Sequence, residues 1–223
     1  LEALNFLCQE DRQGILVTNV SGIKLLLPSP KVFASSIFQL KVGQEIDLTT
    51  LSETLQKIGY QKVSQVLQQG EFSLRGDILD IFEIDQLQPY RIEFFGDEID
   101  GIRIFDPESQ RSVENVEEVQ LKAVSDLLLQ EEDFIRGQQQ IEQLQEQSAN
   151  EEFKSYLAEI LGDISQRKLH PDLRKFISFF YEKQYTLFDY LPKHTPVFLD
   201  DYQKIADQIA RFELDTANLL TEG

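Results

Sequence analysis

The sequence changes its hydrophobic periodicity twice, and this change limits the folds that the chain can adopt. Between residues 63 and 122 the apolar residues come in short strand-length runs, separated by turn signals at 85–89 and 96–97. Consecutive short strands with tight turns indicate an antiparallel meander. An amphipathic helix over 50–59, ended by Gly59, precedes them, and we expect it to pack on one face of the sheet.

The flanking segments predict an α/β layer. The run ILVTNV at 15–20 is mostly apolar and rich in β-branched residues, which is typical of a strand buried on both faces. The run TPVFLDD at 195–201 reads as a lone strand that could close the same sheet. Helical periodicity dominates after Val124. The predicted fold class is therefore α/β: an α/β layer interrupted by an α+β domain with an antiparallel sheet.

The charge balance argues against several classes of partner. The 223 residues include 21 Lys and Arg against 39 Asp and Glu, a net charge of −18. Nucleic-acid binding and polybasic membrane anchoring both need a basic surface. An apolar fraction of 41% is enough for a real core. The single cysteine, Cys8, cannot form an internal disulfide, and no apolar run is long enough to span a bilayer, so we expect a cytoplasmic location.

The chemistry of common enzymes is missing from the sequence. No glycine is followed by lysine, so there is no P-loop to hold nucleotide phosphates. The two histidines, His170 and His194, show no zinc-ligand spacing. Asp200 and Asp201 follow an apolar run, where ligand sites of α/β sheets tend to lie. We favour the plainer interpretation that they cap the helix beginning near Tyr202.

Two strands carry the most specific pattern. Residues 72–84, FSLRGDILDIFEI, read as one strand with Arg75 on one face. Its other face carries apolar side chains by period two: Phe72, Leu74, Ile78, Phe82 and Ile84.

On the next strand, YRIEFF, Ile92 and Phe94 share one face, whereas Arg91 and Phe95 share the opposite one. The segment 71–122 has 14 acids and only five bases, so two arginines close to an outward phenylalanine are notable. Arginine with an aromatic residue is the composition of an interface hot spot. The alternative is that the arginines pair with neighbouring acids and that Phe95 lies under a loop. The pattern alone leaves both interpretations open.

Two stretches of the sequence carry a family resemblance. GEFSLRGDILDIF and PYRIEFFGDEIDGIRIFDPESQRSVENVEEV resemble the second domain of the bacterial transcription-repair coupling factors, the Mfd family, and less closely that of UvrB. The preceding GYQKVSQVLQQGEFS is similar to the coupling-factor version. The resemblance extends upstream over GILVTNVSGIKLLLPSP and downstream over RKFISFFYEKQYTLFDYLPKHTPVFLDD.

The resemblance implies a division of the chain. Residues 1–36 would be the end of UvrB-like domain 1a, 37–122 UvrB-like domain 2, and 123–223 UvrB-like domain 1b, mostly helical. The first domain of the family is a degenerate RecA-like α/β layer without an ATP-binding motif, here truncated. The second domain recruits UvrA, and Arg75, Arg91 and Phe95 fall on the family positions that contact it.

The function implied by the resemblance is that of an interaction module, which brings UvrA to stalled RNA polymerase for transcription-coupled nucleotide-excision repair. The full-length protein would be an ATP-dependent DNA translocase, a helicase-like hydrolase that uses ATP and Mg and contacts RNA polymerase and double-stranded DNA. For this chain we expect no catalytic residues, cofactor or metal, no membrane partner, and a monomer. The alternative is a fragment of UvrB or another ATP-binding helicase-like enzyme, with a nucleotide site at 1–30 and 195–201. Direct DNA binding is a third possibility, which the charge of −18 disfavours.

Overall fold

The computed structural model describes the backbone of residues 1–9 and 13–221, and side chains as far as residue 211. The helices are α1 Glu2–Leu7, α2 Val20–Lys24, α3 Pro30–Ser35, α4 Leu48–Lys57, α5 Glu131–Gln147, α6 Glu151–Ser165, α7 Ile177–Phe180 and α8 Tyr202–Thr221. The strands are β1 Phe38–Lys41, β2 Gln61–Lys62, β3 Glu71–Arg75, β4 Ile78–Ile81, β5 Tyr90–Phe95, β6 Glu98–Phe105, β7 Ser112–Val116 and β8 Glu118–Leu121. Short 3-10 turns cover Leu173–Phe176 and Leu187–Tyr190.

Six strands form the main sheet in the chain order β2-β3-β4-β5-β6-β7, and β1 pairs with β8 in a separate antiparallel ribbon. From β3 to β7 every pair is antiparallel, as the meander pattern predicts. The short β2 runs parallel to β3, so the sheet is mixed and the prediction of a purely antiparallel one is wrong. The cause is the loop 63–70, which returns the chain so that β2 and β3 run in the same direction.

Helix α4 packs against the inner face of this sheet. Asp47 caps it, since its Oδ2 accepts a hydrogen bond from the Thr50 backbone N–H at 2.7 Å. The same bond lowers the pKa of the Asp47 carboxyl. Leu51 and Leu55 lie in one buried cluster with the inward residues of β3, β4 and β5. Gly59 follows with a φ of +103°, which ends the helix at low conformational cost.

The two flanking runs do not form the predicted strands. Residues 13–19 form no regular secondary structure and pair with no strand among the described residues, and Val20 already begins α2. Ile15 is 93% exposed, and Phe198, within 195–200, is 90% exposed. A strand exists only where another strand satisfies its backbone groups, and neither run meets one among the described residues. The RecA-like layer expected from these runs is therefore absent from the part of the chain that the structure describes.

The segments around these runs nevertheless pack together. The Tyr190 hydroxyl donates a 2.8 Å hydrogen bond to the Pro28 carbonyl. The Phe33 ring meets the Tyr190 ring edge-on at 6.1 Å between centroids. Leu27 forms a single antiparallel bridge with Tyr185. These contacts place α3 and the 187–190 turn in the same buried cluster as α4 and the inner sheet face.

A second buried cluster lies among α5, α6, α7 and the 173–176 turn. At its centre α5 approaches α7 closely, and Gly137 of α5 faces the fully buried ring of Phe180. A β-carbon at Gly137 would lie 2.2 Å from a ring carbon of Phe180. The glycine therefore permits the close approach of the two helices.

We expect Gly137→Ala to destabilise the chain by about 1–3 kcal/mol, because overpacking a closed core forces neighbours to shift. Gly162→Ala is the matched control, since Gly162 lies in α6 and a β-carbon there would have open space around it, with no atom of another element within 4 Å. That change should stabilise by up to about 1 kcal/mol, the helix propensity of alanine over glycine. Denaturant unfolding of the three proteins measures both, and equal effects of the two substitutions would contradict the close contact.

One carboxyl group lies in the core beside the sheet. Glu83, just after β4, is fully buried. Its Oε2 accepts a 2.7 Å hydrogen bond from the Asp85 N–H, whereas Oε1 has no hydrogen-bond partner among the described residues. Lys122 lies nearby and pairs with Asp85 at 2.5 Å. Burial raises the pKa of Glu83 above its ordinary value, despite the opposing hydrogen bond and the charge of Lys122.

This raised pKa predicts a pH-dependent effect on stability. The contribution of Glu83 is fully present below its unfolded pKa, near 4.5, and is lost as the pH rises through the raised folded value. Glu83→Gln keeps an acceptor for Asp85 but cannot ionise, so its gain in stability over the wild type should grow from pH 4 to pH 7. Unfolding midpoints across this range measure it, with the exposed Glu114→Gln as control. A difference independent of pH would refute the prediction.

Candidate protein-binding surface

The outer face is the face of the main sheet opposite the cluster that contains α4. Strand pairing places side chains there in two neighbouring rows. One row runs through Ser73, Asp80, Arg91 and Arg103. The next row runs through Arg75, Ile78, Glu93 and Gly101. Three arginines thus lie on one face of a strongly acidic domain.

The register of these rows depends on a reversal that the sequence pattern missed. Residues 72–84 are not one strand, because the chain turns at Gly76, whose φ is +59°, and Asp77. The turn pairs Arg75 with Ile78, so Ile78 moves to the outer face and Leu79 takes its place in the core. The predicted outward position of Arg75 is unchanged, since it precedes the turn.

Asp80 is the centre of what we call the Asp80 cluster, made of Arg75, Asp80 and Arg91. Its side chain is only 2% exposed. Arg91 donates from Nε to Oδ1 at 2.7 Å and from Nη2 to Oδ2 at 2.9 Å. Arg75 donates from Nη2 to Oδ2 at 2.6 Å. A buried carboxylate with three charge-assisted hydrogen bonds is well satisfied, and the cluster as a whole keeps one positive charge.

Arg91 is held on several sides. Besides Asp80, its Nη2 donates to Gln110 Oε1 at 3.0 Å. Its guanidinium carbon lies 4.5 Å from the ring centroid of the buried Phe105, a cation–π geometry. The hydrogen bonds to Asp80 raise the pKa of Arg91 above its ordinary value. With 17% of its side chain exposed, Arg91 is fixed in place.

A further ion pair joins the two rows, between Glu93 on β5 and Arg103 on β6. Arginines on this face therefore pair with acids, as one of the two sequence interpretations expects. This pairing does not remove all of the arginines from solvent, because Arg75 remains half exposed while bonded to Asp80.

Phe95 does not lie under a loop. It is 82% exposed at the end of β5, while its neighbour Phe94 is buried in the core. The β5–β6 turn begins immediately after it, at Gly96. The Phe94 backbone N–H donates to the Asp77 carbonyl at 2.8 Å, which ties the end of β5 to the β3–β4 turn. Strand pairing therefore fixes the backbone of Phe95, while its ring faces solvent.

Of the three residues predicted from the sequence, Arg75 and Arg91 meet at Asp80, and Phe95 lies on the same strand and face as Arg91. Sequence reasoning missed Asp80 itself. Its position opposite Arg91 follows only when RGD is read as a hairpin turn, and glycine followed by aspartate between apolar runs was the available signal. Nothing in the sequence pointed to Phe105 as the ring beneath Arg91.

Other chemistry is sparse. Among residues 1–9 and 13–211, whose side chains the structure describes, no group of three or more His, Cys, Asp or Glu side chains is placed to hold a metal ion. No helix in that described part is long and apolar enough to cross a bilayer. A cleft of about 390 Å³ lies away from the outer face, between the end of α4 and the start of α5. Asp201 accepts a 3.2 Å hydrogen bond from the Lys204 N–H, consistent with its predicted role as the cap of α8.

Comparison with known proteins shows which sequences the chain is similar to. Residues 38–126 match the family model of the UvrB interaction domain. Over 221 residues, 94% of its length, the chain is 32% identical to a transcription-repair-coupling factor of Bacillus subtilis. It is 33% identical over 205 residues, 89% of its length, to such factors of Staphylococcus aureus and Staphylococcus epidermidis.

Over 94% of its length the chain corresponds to a portion of the transcription-repair-coupling factors. The match lies in their N-terminal region and includes the UvrB interaction domain. The chain spans 18–19% of the length of these relatives. At the family level the match supports a role in DNA repair, and specifically in transcription-coupled repair.

Proposed function

We propose that this chain is the part of a transcription-repair-coupling factor that recruits UvrA to stalled RNA polymerase, through the outer face of its UvrB interaction domain. One observation carries the proposal: an 82% exposed phenylalanine on a paired strand, on the same face as an arginine cluster, within the segment that matches that domain. Aromatic residues and arginine are enriched in protein interfaces and their hot spots.

The chemistry of this face describes the surface it would bind. Phe95 needs an apolar pocket, where burying the ring removes it from water. Arg75 is half exposed and offers donors suited to a carboxylate. Asp77 and Asp97 in the two hairpin turns, and Glu98, which pairs with Phe95 at the start of β6, are all exposed. A partner with an apolar pocket, an acidic group and a basic rim is complementary to this arrangement.

The acidic surroundings also favour a protein partner over nucleic acid. Segment 71–122 has 14 acids against five bases, and most of its arginine charge is already paired within the sheet. Acids around an interface speed the approach of a basic protein surface and repel phosphates. On this proposal, DNA translocation, ATP use and contact with RNA polymerase belong to the remainder of the longer proteins.

Phe95→Ala tests the proposed contact. If the ring is a hot spot, the substitution should cost about 2 kcal/mol or more of binding to UvrA, roughly thirtyfold in affinity. Because the ring is exposed, the stability of the chain should stay within about 0.5 kcal/mol of the wild type. Isothermal calorimetry with purified UvrA and denaturant unfolding measure the two effects.

Leu87→Ala is the matched control, since Leu87 is 94% exposed and lies in the connection between β4 and β5. It should leave the affinity for UvrA unchanged. Wild-type affinity in Phe95→Ala would refute the proposed binding surface, whereas a large loss of stability would show that the ring packs in the core.

We also propose that the chain neither binds nor hydrolyses ATP. No glycine–lysine dipeptide exists in the sequence to cradle phosphates, and the runs 15–20 and 195–201 do not form the sheet on which a nucleotide site would stand. Titration of the chain with fluorescent ATP should show no saturation up to millimolar concentrations. Saturable micromolar binding would instead support the alternative of a helicase-like enzyme.

A further inference from the structure

We propose that Asp80 is a positioning residue of the outer face, which anchors Arg91 and holds Arg75 as an exchangeable donor for a carboxylate of the partner. The inference rests on the proposed function, because it describes how the same face would engage UvrA. Asp80 lies in the middle of β4, paired on both sides, and is 2% exposed. It is too buried to contact a partner directly, so any effect on binding must pass through its arginines.

The two arginines are bound unequally. Arg91 uses two nitrogens on the two oxygens of Asp80, a further bond to Gln110, and a stacking contact with Phe105. Arg75 uses one nitrogen on one oxygen, and half of its side chain is exposed. Arg91 is therefore the fixed partner of the carboxylate and Arg75 the one that can leave.

The exchange of Arg75 is inexpensive because Asp80 stays satisfied. When Arg75 leaves, the carboxylate keeps both hydrogen bonds from Arg91, so no buried charge is left unpaired. Arg75 then trades one charge-assisted hydrogen bond for another of the same kind on the partner. Until that moment Asp80 keeps the long side chain close to the sheet, which lowers the entropy that binding must remove.

Removal of the charge should disturb this arrangement without changing the shape of the buried residue. Asp80→Asn removes the carboxylate charge between the two arginines. The amide nitrogen that replaces one oxygen donates instead of accepting, so the three hydrogen bonds cannot all be kept. We expect the affinity for UvrA to fall about tenfold, the size of one charge-assisted hydrogen bond. Ser73→Ala is the matched control, since Ser73 pairs with Asp80 across the strands and its hydroxyl bonds to nothing among the described residues.

A double-mutant cycle separates positioning from general stability. Arg75→Ala should weaken UvrA binding about tenfold, and adding Asp80→Asn to it should weaken binding by no more than about twofold further. A purely structural Asp80 would give independent losses that multiply to about a hundredfold. Multiplying losses, or wild-type affinity in Asp80→Asn, would overturn the inference. Calorimetry at one fixed salt concentration, with the folded fraction checked by circular dichroism, provides the affinities.

A stability measurement tests whether Asp80 binds its two arginines unequally, even if Asp80→Asn does not fold. Arg75→Ala should keep the wild-type denaturation midpoint, whereas Arg91→Ala should lower it clearly, because it strips Asp80 of two of its three hydrogen bonds. Equal losses would refute an exchangeable Arg75. The Phe95→Ala variant distinguishes the two proposals. If it and Arg75→Ala both bind UvrA normally, the proposed function fails; if only the Asp80 cycle disagrees, the positioning role alone fails.

Discussion

The pairing of β4 between β3 and β5 is the constraint on which the outer face depends. It puts Leu79 and Ile81 in the core and Asp80 between them on the opposite face. A carboxylate fixed at that depth must be neutralised, and the register brings an arginine from each neighbouring strand to it. The arginine arrangement thus follows from backbone hydrogen bonds and the cost of burying charge, and it would exist without any partner.

The sequence predicts part of this face because strand alternation survives locally. Within β5 the period of two places Phe94 inward and Phe95 outward correctly, and α4 and its end at Gly59 follow from helical periodicity and glycine chemistry. The predicted position of Ile78 was wrong, since a two-residue turn changes which side chains share a face. The alternation of FSLRGDILDIF hides the turn because its apolar residues remain evenly spaced across Gly76.

The flanking regions show a different limit. Residues 15–20 and 195–201 have the composition of buried strands, yet strand formation depends on a neighbour as much as on the segment itself. The composition of a segment shows only that it could form a strand. Among the described residues, no partner strand is present for 15–20 or for 195–201. Helices form their own hydrogen bonds, which explains why the helical prediction after Val124 was more accurate. The contact of Gly137 with Phe180 also lay beyond sequence reasoning, because it depends on the distance between two helices.

Because Asp80 is shared by Arg75 and Arg91, substitutions at these positions affect one another as the domain evolves. Loss of Asp80 alone leaves like charges side by side, and loss of Arg91 alone leaves a buried anion with one half-exposed partner. Neither single step is neutral, so drift at these positions has to proceed by joint replacement. Arg75, with one bond and an exposed side chain, has more freedom as far as folding is concerned. A strict requirement for arginine at that position would therefore reflect selection for binding.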